Sequence, residues 1–277
     1  FAAMCNATHE AGIKFGVVTH LGGQYDATDI EAMAKATWIR VSLNAGTAAT
    51  YKKHQGRDHF AQACLNMADL AQRGPRIGAS FLITEDNYHE IELAAQMVEH
   101  YGGRFIQYKP LIETNGGVPE SLRQRILDLL YSAKAHQALP RFAVLDQWGP
   151  RQRELIAHDS GVFSGQCHVP RWNPKLGADG VVYTCCELAY SSGAALGSIY
   201  EEPLSAILER ARERKIEQRD CPQCWAKRVN MMINDGNLVG YALPPESDDQ
   251  EFLWATPPTS AISKPIRRDR SAPSSFT

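Results

Sequence analysis

The sequence predicts an α/β chain: a partial (β/α) barrel over residues 1–160, then a small cysteine-rich domain over 161–240. A Pro/Ser-rich tail over 241–277 is expected to be disordered. Three observations predict this. Strand-like and helix-like runs alternate through the first 148 residues with short loops between them. Five of the seven cysteines fall between residues 167 and 224. From Leu243 onward, runs such as PPESDD, TPPTS and SAPSS gather proline and serine.

The elements follow in order. Phe1, Met4, Cys5 and His9 recur at helical spacing up to Gly12, so the chain opens inside a helix pattern. It reads as a chain whose N-terminal piece is missing. Lys14–Leu21 is a strand-like run and Asp29–Ala36 is helical. Trp38–Ala45 is a strand, and His59–Arg73 is a helix closed by Gly74. Arg76–Ile83 is a strand, followed by a helix over Asn87–Tyr101 that Asn87 is suited to cap and Gly102 to close. Arg104–Ile112 is a strand, Pro119–Gln137 a helix with proline in its first turn, and Phe142–Trp148 a further strand. Four βα units in succession imply a parallel sheet covered by helices, with ligands at the C-terminal ends of the strands.

After residue 160 the pattern changes. Short extended runs around Cys167 and over Val181–Cys185 flank Asp179-Gly180, a hairpin-turn signal. A charged helix is expected over Pro203–Gln218. Cys221-Pro222-Gln223-Cys224 then opens a last helical stretch to Asn234.

Composition narrows the function classes. The formal net charge is −2 with no basic block, so nothing points to nucleic acid. No apolar run reaches the roughly 18 residues that span a bilayer. No charged-then-apolar leader opens the sequence, and a cytoplasmic setting is expected. There, clustered cysteines read as metal ligands before disulfides. Cys5 and Cys64, alone in helical segments, read as small core residues.

The four-cysteine set Cys167, Cys185, Cys221 and Cys224 can be argued from chemistry alone. A Cys-x2-Cys pair lets two thiolates reach one metal centre from a single turn, and a second pair completes four ligands. Such a set binds structural zinc or an iron–sulfur cluster, and spacing does not choose between them. Cys186 neighbours Cys185 and would point the other way on an extended strand.

Two stretches resemble the radical S-adenosylmethionine (SAM) superfamily. The first is the succession Val18-Thr19-His20-Leu21-Gly22, Trp38-Ile39-Arg40-Val41-Ser42-Leu43-Asn44-Ala45-Gly46, Ile77–Ile83 and Ile106–Leu111. The second is Cys167-x12-Gly180-x4-Cys185, then Cys221-x2-Cys224. It resembles the auxiliary-cluster module called twitch or SPASM. No cysteine follows Cys224, which matches the shorter, single-cluster twitch form. The superfamily's Cys-x3-Cys-x2-Cys motif and its Gly-Gly-Glu-type motif are absent, so the ligands of the catalytic cluster are missing from this sequence.

The resemblance implies an enzyme, an oxidoreductase or maturase. In such enzymes reductive cleavage of SAM yields a 5′-deoxyadenosyl radical that takes a hydrogen atom from a small-molecule or peptide substrate. It implies a reducing electron donor and an auxiliary [4Fe–4S] cluster on Cys167, Cys185, Cys221 and Cys224. It places Ser42 and Asn44, which alternate with Val41 and Leu43, on the face that holds SAM, with Thr19 as a further contact. Without a catalytic triad of cysteines, this fragment alone is expected to be inactive. His20 is given no role. Glu85, Asp86 and Lys109 lie near predicted strand ends, and nothing in the sequence separates them from solvated loop charges. The alternative from another class is a non-catalytic protein with a structural four-cysteine zinc site.

Overall fold

Five parallel strands follow one another across one sheet in chain order: β1 (Gly16–Thr19), β2 (Trp38–Ser42), β3 (Arg76–Ile83), β4 (Phe105–Pro110) and β5 (Ala143–Asp146). The computed structural model describes residues 1–110, 118–135, 142–146, 166–186, 188–191, 193–214, 230 and 233–234. They belong to two units, Phe1–Asp159 and Ser160–Thr277, taken separately below.

The sheet never reverses its winding direction. Because βαβ crossovers share one hand, an unreversed order puts every crossover helix on the same face. The helices are α1 (Ala2–Glu10), α2 (Ala27–Ala34), α3 (Ala48–Gln55), α4 (Phe60–Ala71), α5 (Ile91–His100) and α6 (Glu120–Ala135). The main core is built on that face. Val17, Ile39, Val41, Ile77, Ala79, Phe81, Ile106, Tyr108 and Val144 pack in one cluster with Ile30 and Met33 of α2, Met67 and Leu70 of α4, Ala94 and Val98 of α5, and Ile126 and Leu130 of α6. Strand alternation then assigns the opposite face. Parallel register aligns Val18, Arg40, Gly78, Phe105 and Ala143 in one row, and Ser42, Ser80, Gln107 and Leu145 in the next.

Two details of the first unit differ from the sequence reading. The helix α3 was not anticipated. It buries a single residue, Tyr51, so it shows no apolar stripe. Its termini do carry the signals: Thr47 accepts from the Thr50 amide at 3.3 Å, and Gly56 sits at φ 70° just past the end. Asn87 does not cap α5. A single 3-10 turn, Tyr88–Glu90, intervenes before Ile91. Asn87 is fully buried and ties the ends of two strands instead. Its Nδ2 donates to the carbonyls of Asn44 (3.0 Å) and Leu82 (2.9 Å), and its Oδ1 accepts from the Thr84 amide.

Glu90 holds the turn between β2 and α3. Its buried carboxylate accepts from the Gly46 amide and from the hydroxyls of Thr47 and Thr50, each at 2.7 Å. Burial alone would raise its pKa. The three hydrogen bonds outweigh burial and hold the group below the usual glutamate range. The carboxylate also sits at the positive end of α3.

The second unit carries an antiparallel sheet. A short helix α7 (Val169–Trp172) precedes β6 (Lys175–Leu176), which turns into β7 (Val181–Tyr183), and β8 (Ala195–Ser198) completes the sheet. Helix α8 (Leu204–Glu213) packs Ile207 and Ala211 against Val182 and Leu196. The turn at Asp179-Gly180 forms as expected. Asp179 accepts from the Val181 amide and from the Tyr183 hydroxyl (2.6 Å). Gly180 needs its missing side chain twice over: φ is 76°, and a Cβ would lie 2.2 Å from the Tyr200 ring. The strand paired with β7 is Lys175–Leu176, not the Cys167 segment that the sequence suggested. Val169-Pro170 turns the chain into α7 before the hairpin begins, with proline in the helix's first turn.

Replacing Glu90 by Gln leaves one oxygen for three donors and should lower stability by about 1–3 kcal/mol. The folded pKa is below the ordinary value of 4.5, so this contribution is full above that pH and is lost as pH falls through the folded value. Denaturant titrations of both proteins should therefore show a gap at pH 7 that closes in acid. A gap that persists unchanged at low pH would contradict this account.

Candidate functional site

The sheet face opposite the helices begins with an apolar floor. The Trp38 indole lies over Gly16, and the Phe105 ring over Gly78, where a Cβ would come within 2.4 Å of the ring. Above this floor the face turns polar. Gly78 and Ser80 are the small residues of β3, and the Arg40 side chain crosses β3 to donate from Nη1 to Gln107 Oε1 on β4 at 3.0 Å. Its guanidinium also lies 6.0 Å from the centroid of the Trp38 ring. Arg40 Nε is buried without a hydrogen-bond partner. Two residues beyond Gln107, on the same face, stands Lys109. Burial first, and then the Arg40 charge, push its ammonium pKa down to about 8. Lys109 is half-buried within β4, inside the strand expected over Arg104–Ile112. Among the described residues neither cation has a carboxylate partner.

Of the three residues expected to contact SAM, Ser42 lies on this polar face, level with Ser80 and Gln107. Its carbonyl accepts from Gln55 Nε2 at 3.0 Å, and its hydroxyl has no partner among the described residues. Asn44 lies past the strand end at φ 57°, so simple alternation no longer orients it. Its Oδ1 accepts from the Leu82 amide at 2.9 Å, which joins the C-terminal ends of β2 and β3. Thr19 pairs with Val41, on the helix-covered side. Its hydroxyl accepts from the Leu21 amide (3.1 Å) and meets the Tyr25 hydroxyl (3.1 Å), a local turn at the strand end. The sheet therefore does not bring Thr19 together with Ser42. His20 makes a similar turn, accepting from the Gly22 amide on Nδ1 at 2.9 Å.

In the second unit, Cys167 and Cys185 come together. Both thiols are free and buried, in one cluster with Val169 and Leu188. Cys186 is exposed, as the alternation along the chain after β7 requires. Cys221 and Cys224 lie outside the described residues. A pair of soft sulfur donors in an apolar setting suits zinc or iron–sulfur chemistry.

Sequence reasoning missed the residue that fixes Cys167. Asn230 is fully buried, and its Oδ1 accepts from the His168 amide at 2.9 Å. Its Nδ2 donates to Cys167 Sγ at 3.6 Å. One helical turn later, Asn234 accepts from the Gln166 amide (3.3 Å) and donates to the Gln166 carbonyl (2.8 Å). The signal was visible: two asparagines four residues apart at the end of a helical stretch, residues that rarely sit in a helix interior without a local reason.

Residues 167–225 match the SPASM family, an iron–sulfur cluster-binding domain. The matched span begins on Cys167 and contains Cys185, Cys221 and Cys224. No curated protein matches the chain. The Streptococcus suis SuiB crystal structure is similar over 75% of this chain and 51% of its own, at 12% identity and a TM-score of 0.56. Native anSMEcpe with bound AdoMet and Cp18Cys peptide is similar over 78% and 65%, at 15% identity and a TM-score of 0.51. The chain thus spans about half to two thirds of the length of these structures.

Two outcomes test the second unit. In metal-free protein, alkylation followed by peptide mass spectrometry should modify Cys186 first among the five described cysteines. Cys64, whose thiol burial pushes up to about 11, should stay unmodified. Asn230→Leu should lower the stability of this unit by about 1–3 kcal/mol in denaturant melts, because it strands the His168 amide. In fold, the chain is similar to SuiB and anSMEcpe, and its residues 167–225 match the SPASM iron–sulfur cluster-binding domain.

Proposed function

We propose that the chain is part of a radical SAM enzyme, an oxidoreductase or maturase, whose second unit holds an auxiliary [4Fe–4S] cluster. The observation that carries this is the buried, free pair Cys167 and Cys185, which opens a cysteine pattern matched by an iron–sulfur domain family. Cys221 and Cys224 are the proposed remaining ligands. With no cysteine after Cys224, the module fits the single-cluster twitch form. When bound, a cluster of this kind supplies one-electron chemistry.

The chain's own residues do the rest. Asn230 orients Cys167 by donating to its sulfur. Val169 and Leu188 keep water from the two sulfurs. On the sheet, Ser42 and the Asn44 amide nitrogen offer hydrogen bonds to the ribose or methionine part of SAM. Thr19 shapes the neighbouring turn rather than reaching SAM directly. The substrate is proposed to be a peptide. SuiB is known in complex with the precursor peptide SuiA, and anSMEcpe with a Cp18Cys peptide. A reducing donor and a cytoplasmic setting complete the reading.

Anaerobic reconstitution with iron and sulfide tests it. The protein should turn brown and hold about four irons per chain. Alanine at Cys167, Cys185, Cys221 or Cys224 should lower the iron content, whereas Cys186→Ala should leave it near the parent level. A colourless protein that retains one zinc through the same treatment would replace this reading with a structural zinc site.

A further inference from the structure

A buried polar atom without a partner costs free energy, so several of them close together call for a physical reason. In the second unit, among the described residues, three side chains carry such an atom: Gln166 Nε2, His168 Nε2 and Thr184 Oγ1. Gln166 and His168 flank Cys167, and Thr184 precedes Cys185. The desolvation cost thus falls on the residues adjoining the two buried sulfurs. Val169 and Leu188, which pack against those sulfurs, bring apolar side chains and no acceptor.

His168 is the residue of the three best placed to meet the metal centre. Gln166 is partly exposed, and alternation along this stretch puts Thr184 on the side of Cys186. His168 is only 8% exposed, and the residue that fixes Cys167 also fixes its backbone. Asn230 accepts from the His168 amide at 2.9 Å and donates to Cys167 Sγ at 3.6 Å. One buried amide therefore holds the sulfur and the histidine in a single arrangement, while the imidazole Nε2 is left unpaired. A neutral imidazole with its proton on Nε2 is a donor, and the sulfurs of an iron–sulfur cluster are acceptors.

We infer that His168 donates a hydrogen bond from Nε2 to a sulfur of the cluster held by Cys167 and Cys185, and that this bond raises the cluster's reduction potential. The inference rests on the iron–sulfur reading of that site. A donor at the sulfurs favours the reduced cluster, because reduction adds negative charge there.

The test uses the full chain with 15N-labelled histidine, reconstituted anaerobically with iron and sulfide and reduced with titanium(III) citrate. Pulsed EPR should show a weak 15N coupling, of the size carried through a hydrogen bond rather than by a nitrogen bound to iron. Its loss in His168→Gln assigns it among the nine histidines. Potentiometric titration gives a second readout. In His168→Leu the ratio of reduced to oxidised cluster at a fixed potential should fall about tenfold, equivalent to about 59 mV for one electron. His168→Gln, which keeps an N–H donor at a similar reach, should recover most of that loss. Both variants should hold iron near the parent level.

Iron-loaded parent protein without any 15N coupling would overturn the inference and leave the iron–sulfur reading standing. So would a potential unchanged in His168→Leu. A strong coupling, with iron lost from both variants, would make His168 a ligand and overturn its role as a donor. If His168→Leu does not fold, the coupling in the parent chain and its loss in His168→Gln still decide. Failure of the parent chain to take up iron would remove the iron–sulfur reading, and the inference with it.

Discussion

The one-directional winding of the five-stranded sheet is the constraint on which the front unit depends. Parallel strands in unbroken chain order push all their helices to one side. That side receives the core, with Ile39, Val41, Ile77 and Phe81 fully buried. Among the described residues, no crossover helix lies on the other side. It can therefore carry Arg40, Ser42, Ser80, Gln107 and Lys109 without leaving a hole in the core. A doubly wound sheet of the same strands would bury both faces and exclude such a row.

The loops at the strand ends follow from the same constraint. Since ligands of a parallel sheet gather at the C-terminal ends, those ends must be held in register by something other than strand pairing. Asn44, Asn87 and Glu90 do this with side-chain hydrogen bonds between β2, β3 and the start of α3. Asn44 and Asn87 bond backbone groups and Glu90 bonds an amide and two hydroxyls, which is why the turn geometry is fixed even though Asn44 adopts a left-handed conformation.

Much of this was legible in the sequence. The strands announce themselves because runs such as Trp38–Ser42 and Arg76–Ile83 are β-branched or apolar and bounded by turn residues. Asp179-Gly180 announced its turn because only a residue without Cβ tolerates that position beside Tyr200. Helix α3 was hidden because one buried tyrosine makes no periodicity. Lys109 was hidden because a lysine near a strand end looks the same in sequence whether its chain runs along a polar sheet face or into water. Asn230 was only half legible: the pair Asn230 and Asn234 signals a local reason, but the partner sulfur lies 63 residues earlier, and no local pattern names a contact of that span.

That span has a consequence for how the second unit is made. The clamp formed by Asn230 and Asn234 closes on Gln166 and His168 across 62 to 68 residues, with the hairpin and α8 folded in between. Contacts of such high sequence separation form late, after the local hairpin and helix have shortened the effective loop. During synthesis, Cys167 must wait for the chain to pass Asn234 before its sulfur is fixed. Until the last turn of the clamp has emerged, the segment carrying Cys167 lacks the two asparagines that hold it in place.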